Sequence, residues 1–149
     1  MSFGIVYAIN TSHEKRGKKI PLHTGTFITD FGLEGDYHAG PGHRQVSLLT
    51  KESLDAMQAL GVEGLCFGHY IENICTQGIA LDTLTVGTML KCGAIELEIT
   101  QVGKECHAAQ GCSVIEKVGY CVLPTQGIFA RVIKPGVLYR GDTIEVKHV

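Results

Sequence analysis

Apolar residues in this chain come in short runs broken by glycine, and only one stretch repeats at helical spacing. Gly4 to Asn10 (GIVYAIN) is an apolar run of strand length bounded by Gly and Asn, which predicts a buried strand. Ser12 to Lys19 (SHEKRGKK) is charged and has no apolar face, so it reads as an exposed hairpin loop. Residues 30–43 (DFGLEGDYHAGPGH) place Gly32, Gly35, Gly40 and Gly42 close together, a density that no regular element tolerates and that predicts a loop with unusual dihedrals. Gln45 to Leu49 is a short strand candidate. Thr50 then caps a helix over KESLDAMQAL, with Glu52 in its first turn, Leu54, Met57 and Leu60 as the inward stripe, and Gly61 beyond its end.

Further strands are predicted at Tyr70 to Cys75, Leu84 to Leu90 and Ala94 to Val102, where AIELEITQV alternates cleanly and puts Ile95, Leu97 and Ile99 on one face. Two final runs, Gly127 to Ile133 and Val137 to Val146, complete the pattern. LTVGTML at 84–90 is echoed by LYRGDTI at 138–144, a glycine turn feeding a β run in both places. Short strands, glycine turns, one clear helix and one or two lesser ones describe a mostly β, barrel-like fold.

At 149 residues the chain is expected to form one domain, 1–149, with enough core to fold without metal or disulfide staples. Thirteen Lys and Arg against fifteen Asp and Glu give a net charge of −2 without a strongly basic face, which argues against nucleic acid as a partner. Neither a signal peptide nor an apolar run of about 18 residues is visible, so a cytoplasmic protein without membrane attachment is expected. Six cysteines in that compartment are thiols, serving as small hydrophobes, metal ligands or redox groups.

The densest chemistry lies in GKECHAAQGCSVIEKVGYC at 103–121. Its Cys106, His107, Cys112 and Cys121 lack the paired spacing of a structural zinc site. Cys106 lies between Lys104 and His107, cations that favour the thiolate, a form suited to a soft or high-valent metal or to carrying sulfur. Cys66, Cys75 and Cys92 sit in apolar surroundings and read as core. The glycine loop adds Gly35, Asp36, His38, His43 and Arg44: its backbone N–H groups could turn toward an anion and the arginine grip it. The plainer reading is a β-connecting loop in which Asp36 and His38 cap turns. Glu72 and Asn73 stand at a strand end, and Asp142 reads as a hairpin turn residue.

GLEGDYHAGPGHRQVSLLTKESLD, IENI, GIALDTLTVGTMLKCGAIELEITQVGKECH and GYCVLPTQGIFARVIKPGVLYRGDTIEV resemble the MOSC family, named from the carboxy-terminal domain of molybdenum-cofactor sulfurases. The likeness spans about residues 3 to 146 and is closest to the small stand-alone bacterial members. It implies a β-barrel that binds the molybdenum cofactor (molybdopterin) or handles sulfur for it. By motif position Cys106 corresponds to the cysteine that ligates molybdenum in reductases similar to the mitochondrial amidoxime-reducing component, and in sulfurase-type members it implies a sulfur carrier. Glu105 stands where those reductases carry proline, and their additional amino-terminal region has no counterpart here. Pyridoxal phosphate is not expected.

On that resemblance, Cys106 is the expected catalytic residue and metal ligand, and Gly35, Asp36, His38, His43, Arg44, Asn73, Lys104, His107 and Arg131 are candidate cofactor contacts. The roles of Cys112 and Cys121 are open. The leading expectation is cofactor sulfuration, sulfur carriage or delivery, in partnership with cofactor biosynthetic or acceptor proteins or with a cysteine desulfurase. A small molybdenum reductase of N-hydroxylated compounds, drawing on an electron-donor protein, is the alternative. A redox or metal-sensing module built on Cys106, Cys112 and Cys121 is a third.

Overall fold

The computed structural model describes residues 3–13, 20–59, 72–102 and 127–147. In chain order its strands are β1 (Phe3–Thr11), β2 (Ile20–Leu22), β3 (Thr24–Ile28), β4 (Gly32–Leu33) and β5 (Val46–Thr50). The helix α1 (Lys51–Ala59) follows, then β6 (Ile74–Gln77), a 3-10 turn at Leu81–Thr83, β7 (Met89–Cys92), β8 (Ile95–Val102), β9 (Ile128–Lys134), β10 (Gly136–Tyr139) and β11 (Thr143–Val146). One sheet runs β11-β7-β8-β9-β5-β6-β1-β2, and β11 also pairs with β1, so seven strands close into a barrel with β2 appended. Within it β5 and β6 run parallel and the other pairs antiparallel. A second sheet, β10-β3-β4, contributes Phe27, Leu33 and Leu138 to the same core.

The barrel forms because alternating side chains can all point one way. Val6, Ile9, Leu48, Ile74, Leu90, Leu97, Ile99 and Ile144 are at most 1% exposed. Each such side chain contributes about 1.5–3 kcal/mol by leaving water. The predicted inward face of β8 is confirmed, with Ile95, Leu97 and Ile99 fully buried. Helix α1 starts where expected: Thr50 Oγ1 accepts a bond from the backbone N–H of Ser53 at 3.1 Å, satisfying one of the first-turn donors. Glu52 accepts from Gly78 N–H, tying the helix to the end of β6.

Three elements differ from expectation. The strand expected at Tyr70 to Cys75 starts at Ile74 and runs to Gln77, with Glu72 and Asn73 ahead of it. The Leu84–Leu90 run becomes a strand only at Met89, because Thr88 N–H donates to Thr85 O and Gly87 takes φ +95°, which makes a turn of residues 85–88. Val137–Val146 divides between sheets, β10 pairing with β3 and β11 with β7 and β1. Asp142 therefore turns the chain from one sheet to the other, its Oδ2 accepting from Tyr139 N–H, rather than closing a hairpin.

The short sequence echo marks a larger internal symmetry. β7 and β8 pair Met89↔Glu98, Leu90↔Leu97 and Lys91↔Glu96, while β11 and β1 pair Thr143↔Ile5, Ile144↔Gly4 and Glu145↔Phe3 in the same relative register. Both units open on the same turn. Gly87 N–H donates to Ile99 O and Ile99 N–H to Thr88 O; Gly141 N–H donates to Val6 O and Val6 N–H to Asp142 O. Even the bulges correspond. β8 shifts register against β9 between Ile99 and Gln101, and β1 shifts against β6 between Val6 and Ala8. The barrel is thus two equivalent three-stranded units, β7-β8-β9 and β11-β1-β6, joined by β7–β11 pairing on one side and by β5 on the other.

Candidate functional site

Cys106, Lys104, His107, Cys112 and Cys121 lie outside the described residues, as does Cys66. Their segment joins β8 to β9, so the described structure gives its root: the last pairs, Gln101↔Phe129 and Val102↔Ile128. Around that root the chain assembles the end of the glycine loop, the bulge of β8 and the start of β9.

The glycine loop is anchored to the barrel rather than loosely draped over it. Asp36 is buried. Its Oδ1 accepts from Ser12 N–H at 2.8 Å and Thr11 Oγ1 at 3.2 Å, and its Oδ2 from His38 N–H at 3.2 Å. Gln45, fully buried, donates from Nε2 to Asp30 Oδ1 and to Gly42 O, and accepts from Val132 N–H, so one amide joins both ends of the loop to β9. Gly32 explains one glycine: at φ +117° a Cβ there would lie 2.5 Å from Gln45 O. The dihedrals predicted for this segment are present, with Gly35, Gly40, Gly42 and Asp30 also at positive φ.

This folding changes what the loop can offer an anion. The backbone N–H groups of Glu34, Asp36, Tyr37, Ala39 and Gly40 donate to carbonyls of the protein, and that of His38 to Asp36. From Asp36 to Gly40 the backbone donors are therefore already used in folding the loop. Asp36 acts as the turn-capping reading describes. His38 is half exposed, with Nδ1 4.0 Å from Asp36 Oδ2 and its ring edge-on to Tyr37. Asn73 is likewise used by the frame: its Oδ1 accepts from Ser47 N–H and Oγ, and its Nδ2 donates to Asn10 O.

Among the side chains that could meet an anion, the two candidate arginines differ. Arg131 Nε donates to Glu98 Oε1 at 2.6 Å, so its charge is already met across the strand pair. Arg44 Nε donates to Gln101 Oε1 at 3.0 Å, and its guanidinium carbon lies 4.9 Å from the centre of the Phe129 ring. Among the described residues it faces no carboxylate. His43 Nε2 lies 3.0 Å from the same Gln101 oxygen, and Thr100 Oγ1 donates to His43 O. An open cleft of about 430 Å³ meets this group at His43, and its lining also includes Asp30, Glu98, Ile99, Thr100 and Arg131. Sequence reasoning missed Gln101. Its signal was a polar residue where simple alternation after Ile95, Leu97 and Ile99 calls for an apolar one; the bulge breaks that alternation, and Val102 packs on the core instead.

Cys75 and Cys92 are buried thiols, as expected for core cysteines. Burial pushes Cys75 up to about 12, with Glu72 adding to the shift, and burial also drives Cys92 far above the ordinary thiol range. Among the described residues no group of three or more His, Cys, Asp or Glu is placed to hold a metal. No described helix is long and apolar enough to cross a membrane.

A closed β-barrel with one short helix, an anchored glycine loop and an arginine at its rim defines the class of fold. The MOSC domain profile matches residues 34–145, and the chain belongs to the MOSC domain family, which is associated with the molybdenum cofactor. Among solved structures it resembles the YuaD protein from Bacillus subtilis, with TM-score 0.75 and 19% identity over 97% of this chain and 95% of that one. YiiM from Geobacillus stearothermophilus gives TM-score 0.65 and 18% identity over 98% and 75%, and YiiM from Escherichia coli gives 0.63 and 16% over 97% and 70%. At these identities the likeness establishes the fold. No curated protein sequence matches significantly.

Proposed function

We propose that this protein binds the molybdenum cofactor and acts in its sulfuration, sulfur carriage or delivery, with Cys106 as the working thiolate. One observation supports the reading: Arg44 is held at the root of the Cys106 segment by a neutral amide and an aromatic ring, and among the described residues no carboxylate neutralises its charge. The residues present suit the cofactor's phosphate. A guanidinium with Nε already bonded still offers both Nη groups to a tetrahedral oxyanion, and paired N–H···O bonds to phosphate are among the stronger ones available to a side chain. Arg131 is second to it, because an anion there competes with Glu98.

When bound, the cofactor supplies a molybdenum centre that takes sulfur ligands. The chain supplies the rest: Arg44 orients the phosphate, Lys104 and His107 favour the Cys106 thiolate, and the anchored loop fixes where Arg44 begins. A cysteine desulfurase is the partner class that this chemistry calls for, and an acceptor enzyme is the expected destination.

The test is elemental analysis of protein purified without oxygen from a cofactor-producing host, wild type against Cys106→Ser. Serine is nearly isosteric with cysteine, so the fold is retained. Molybdenum or cyanide-labile sulfur should be present in the wild type and fall to background in the variant. Equal content in both would sink the role of Cys106.

A further inference from the structure

Gln101 is half-buried near the end of β8, and its amide oxygen meets two side chains of the candidate site. Arg44 Nε and His43 Nε2 each lie 3.0 Å from its Oε1. An arginine Nε can only donate, so the atom it meets is the amide oxygen and not the nitrogen. His43 must then also donate, which puts its proton on Nε2 and leaves Nδ1 as the acceptor. One oxygen thus sets the orientation of a guanidinium and the tautomer of an imidazole.

The internal symmetry supplies a control for whether the fold itself needs this glutamine. The bulge between Ile99 and Gln101 in β8 is repeated between Val6 and Ala8 in β1, and the pair Gln101↔Phe129 is repeated as Ala8↔Cys75. Alanine serves the same backbone position in the other unit. A long amide is therefore not required to make the bulge, and its contributions at 101 include the bonds to His43 and Arg44. Phe129 completes the arrangement by occupying one face of the guanidinium, whose charge is attracted to the ring's electron-rich face.

We infer that Gln101 is the positioning residue of an oxyanion site centred on Arg44, holding the guanidinium over Phe129 with its two Nη groups turned outward to a phosphate group. This rests on the proposed reading of Arg44 and adds to it a residue that touches no ligand itself. Pre-ordering matters because an arginine free to rotate must be immobilised on binding, and avoiding that loss strengthens binding by about 2- to 12-fold per side chain.

The experiment follows inorganic phosphate binding to the full chain by NMR, reading the Arg44 Nε–H signal and its exchange with water. In the wild type the Nε–H should exchange slowly and shift with phosphate. Gln101→Ala, the residue already present at the equivalent bulge, should leave the backbone spectrum folded, speed Nε–H exchange and weaken phosphate binding several-fold. Gln101→Glu keeps the acceptor and adds a countercharge: the Nε–H should stay protected while phosphate affinity drops. Arg44→Ala should abolish binding. Undiminished phosphate affinity in Gln101→Ala, with binding lost in Arg44→Ala, overturns the inference alone. Phosphate binding that survives Arg44→Ala, or none in the wild type, overturns the reading beneath it as well. Should Gln101→Ala fail to fold, the positioning role falls to a structural one.

Discussion

Cys75 and Arg44 differ in what their surroundings do to charge. Cys75 is 2% exposed among core side chains, so its thiolate is strongly disfavoured, whereas Arg44 is left charged and accessible. A thiol raised from about 9 to about 12 in the folded protein keeps its proton there after the unfolded chain has lost its own. The resulting stability is fully present below pH of about 9 and is lost as pH climbs toward about 12. Urea unfolding across that window should therefore show falling stability in the wild type and a shallower fall in Cys75→Ala. Parallel slopes would show that the thiol does not contribute. The core reading of this cysteine was available from its apolar neighbours in the sequence. The difference between Arg44 and Arg131 was not, because the Glu98 that neutralises Arg131 is set by cross-strand register, and no local spacing encodes that pairing.

At the scale of elements, alternation marked β8 and a hydroxyl cap marked α1, since both are local properties of a few successive residues. β7 was displaced because Leu84 and Val86 continue an apolar run through what is in fact a turn, and hydrophobicity alone does not distinguish the two. The run at 137–146 was divided between sheets for a related reason: a glycine turn has the same local grammar whether it closes a hairpin or hands the chain to another sheet. β2 and β4, of three and two residues, are too short for a period to register, and β3 hides its alternation because glycine stands at one of its two inward positions. The equivalence of the two units makes a paired prediction. Gly87 and Gly141 take φ +95° and +92° with nothing within 4 Å of an added Cβ, so strain rather than crowding sets the cost of a side chain. Each change to alanine should cost about 1–2 kcal/mol, and the two should agree closely. Urea denaturation of the two single variants checks it, and a large inequality would mean that the turns are not equivalent in energy.

For the whole molecule, the symmetry relates a hairpin within the chain to a pairing between its distant ends. Cys92 and Glu96 are joined through Gly93, Ala94 and Ile95, while the corresponding Val146 and Phe3 are brought together only by β11–β1 pairing. Linking Val146 to Phe3 by Gly-Ala-Ile and opening the chain between Gly93 and Ala94 should thus give a permuted protein with the same barrel. Circular dichroism and a cooperative thermal transition within a few degrees of the parent's would bear this out. A permuted chain lacking cooperative unfolding would show that the two joints are not interchangeable.

The β11–β1 seam also orders events in time. Phe3, Gly4 and Ile5 find their partners only when Glu145, Ile144 and Thr143 have been synthesised, so one edge of the first strand waits for nearly the whole chain. Until then that edge is an open template carrying the exposed side chains of Phe3, Ile5 and Tyr7, and contacts of such long sequence separation form slowly. In the permuted chain the same two strands would be neighbours in sequence, and that seam would seal among its earliest contacts.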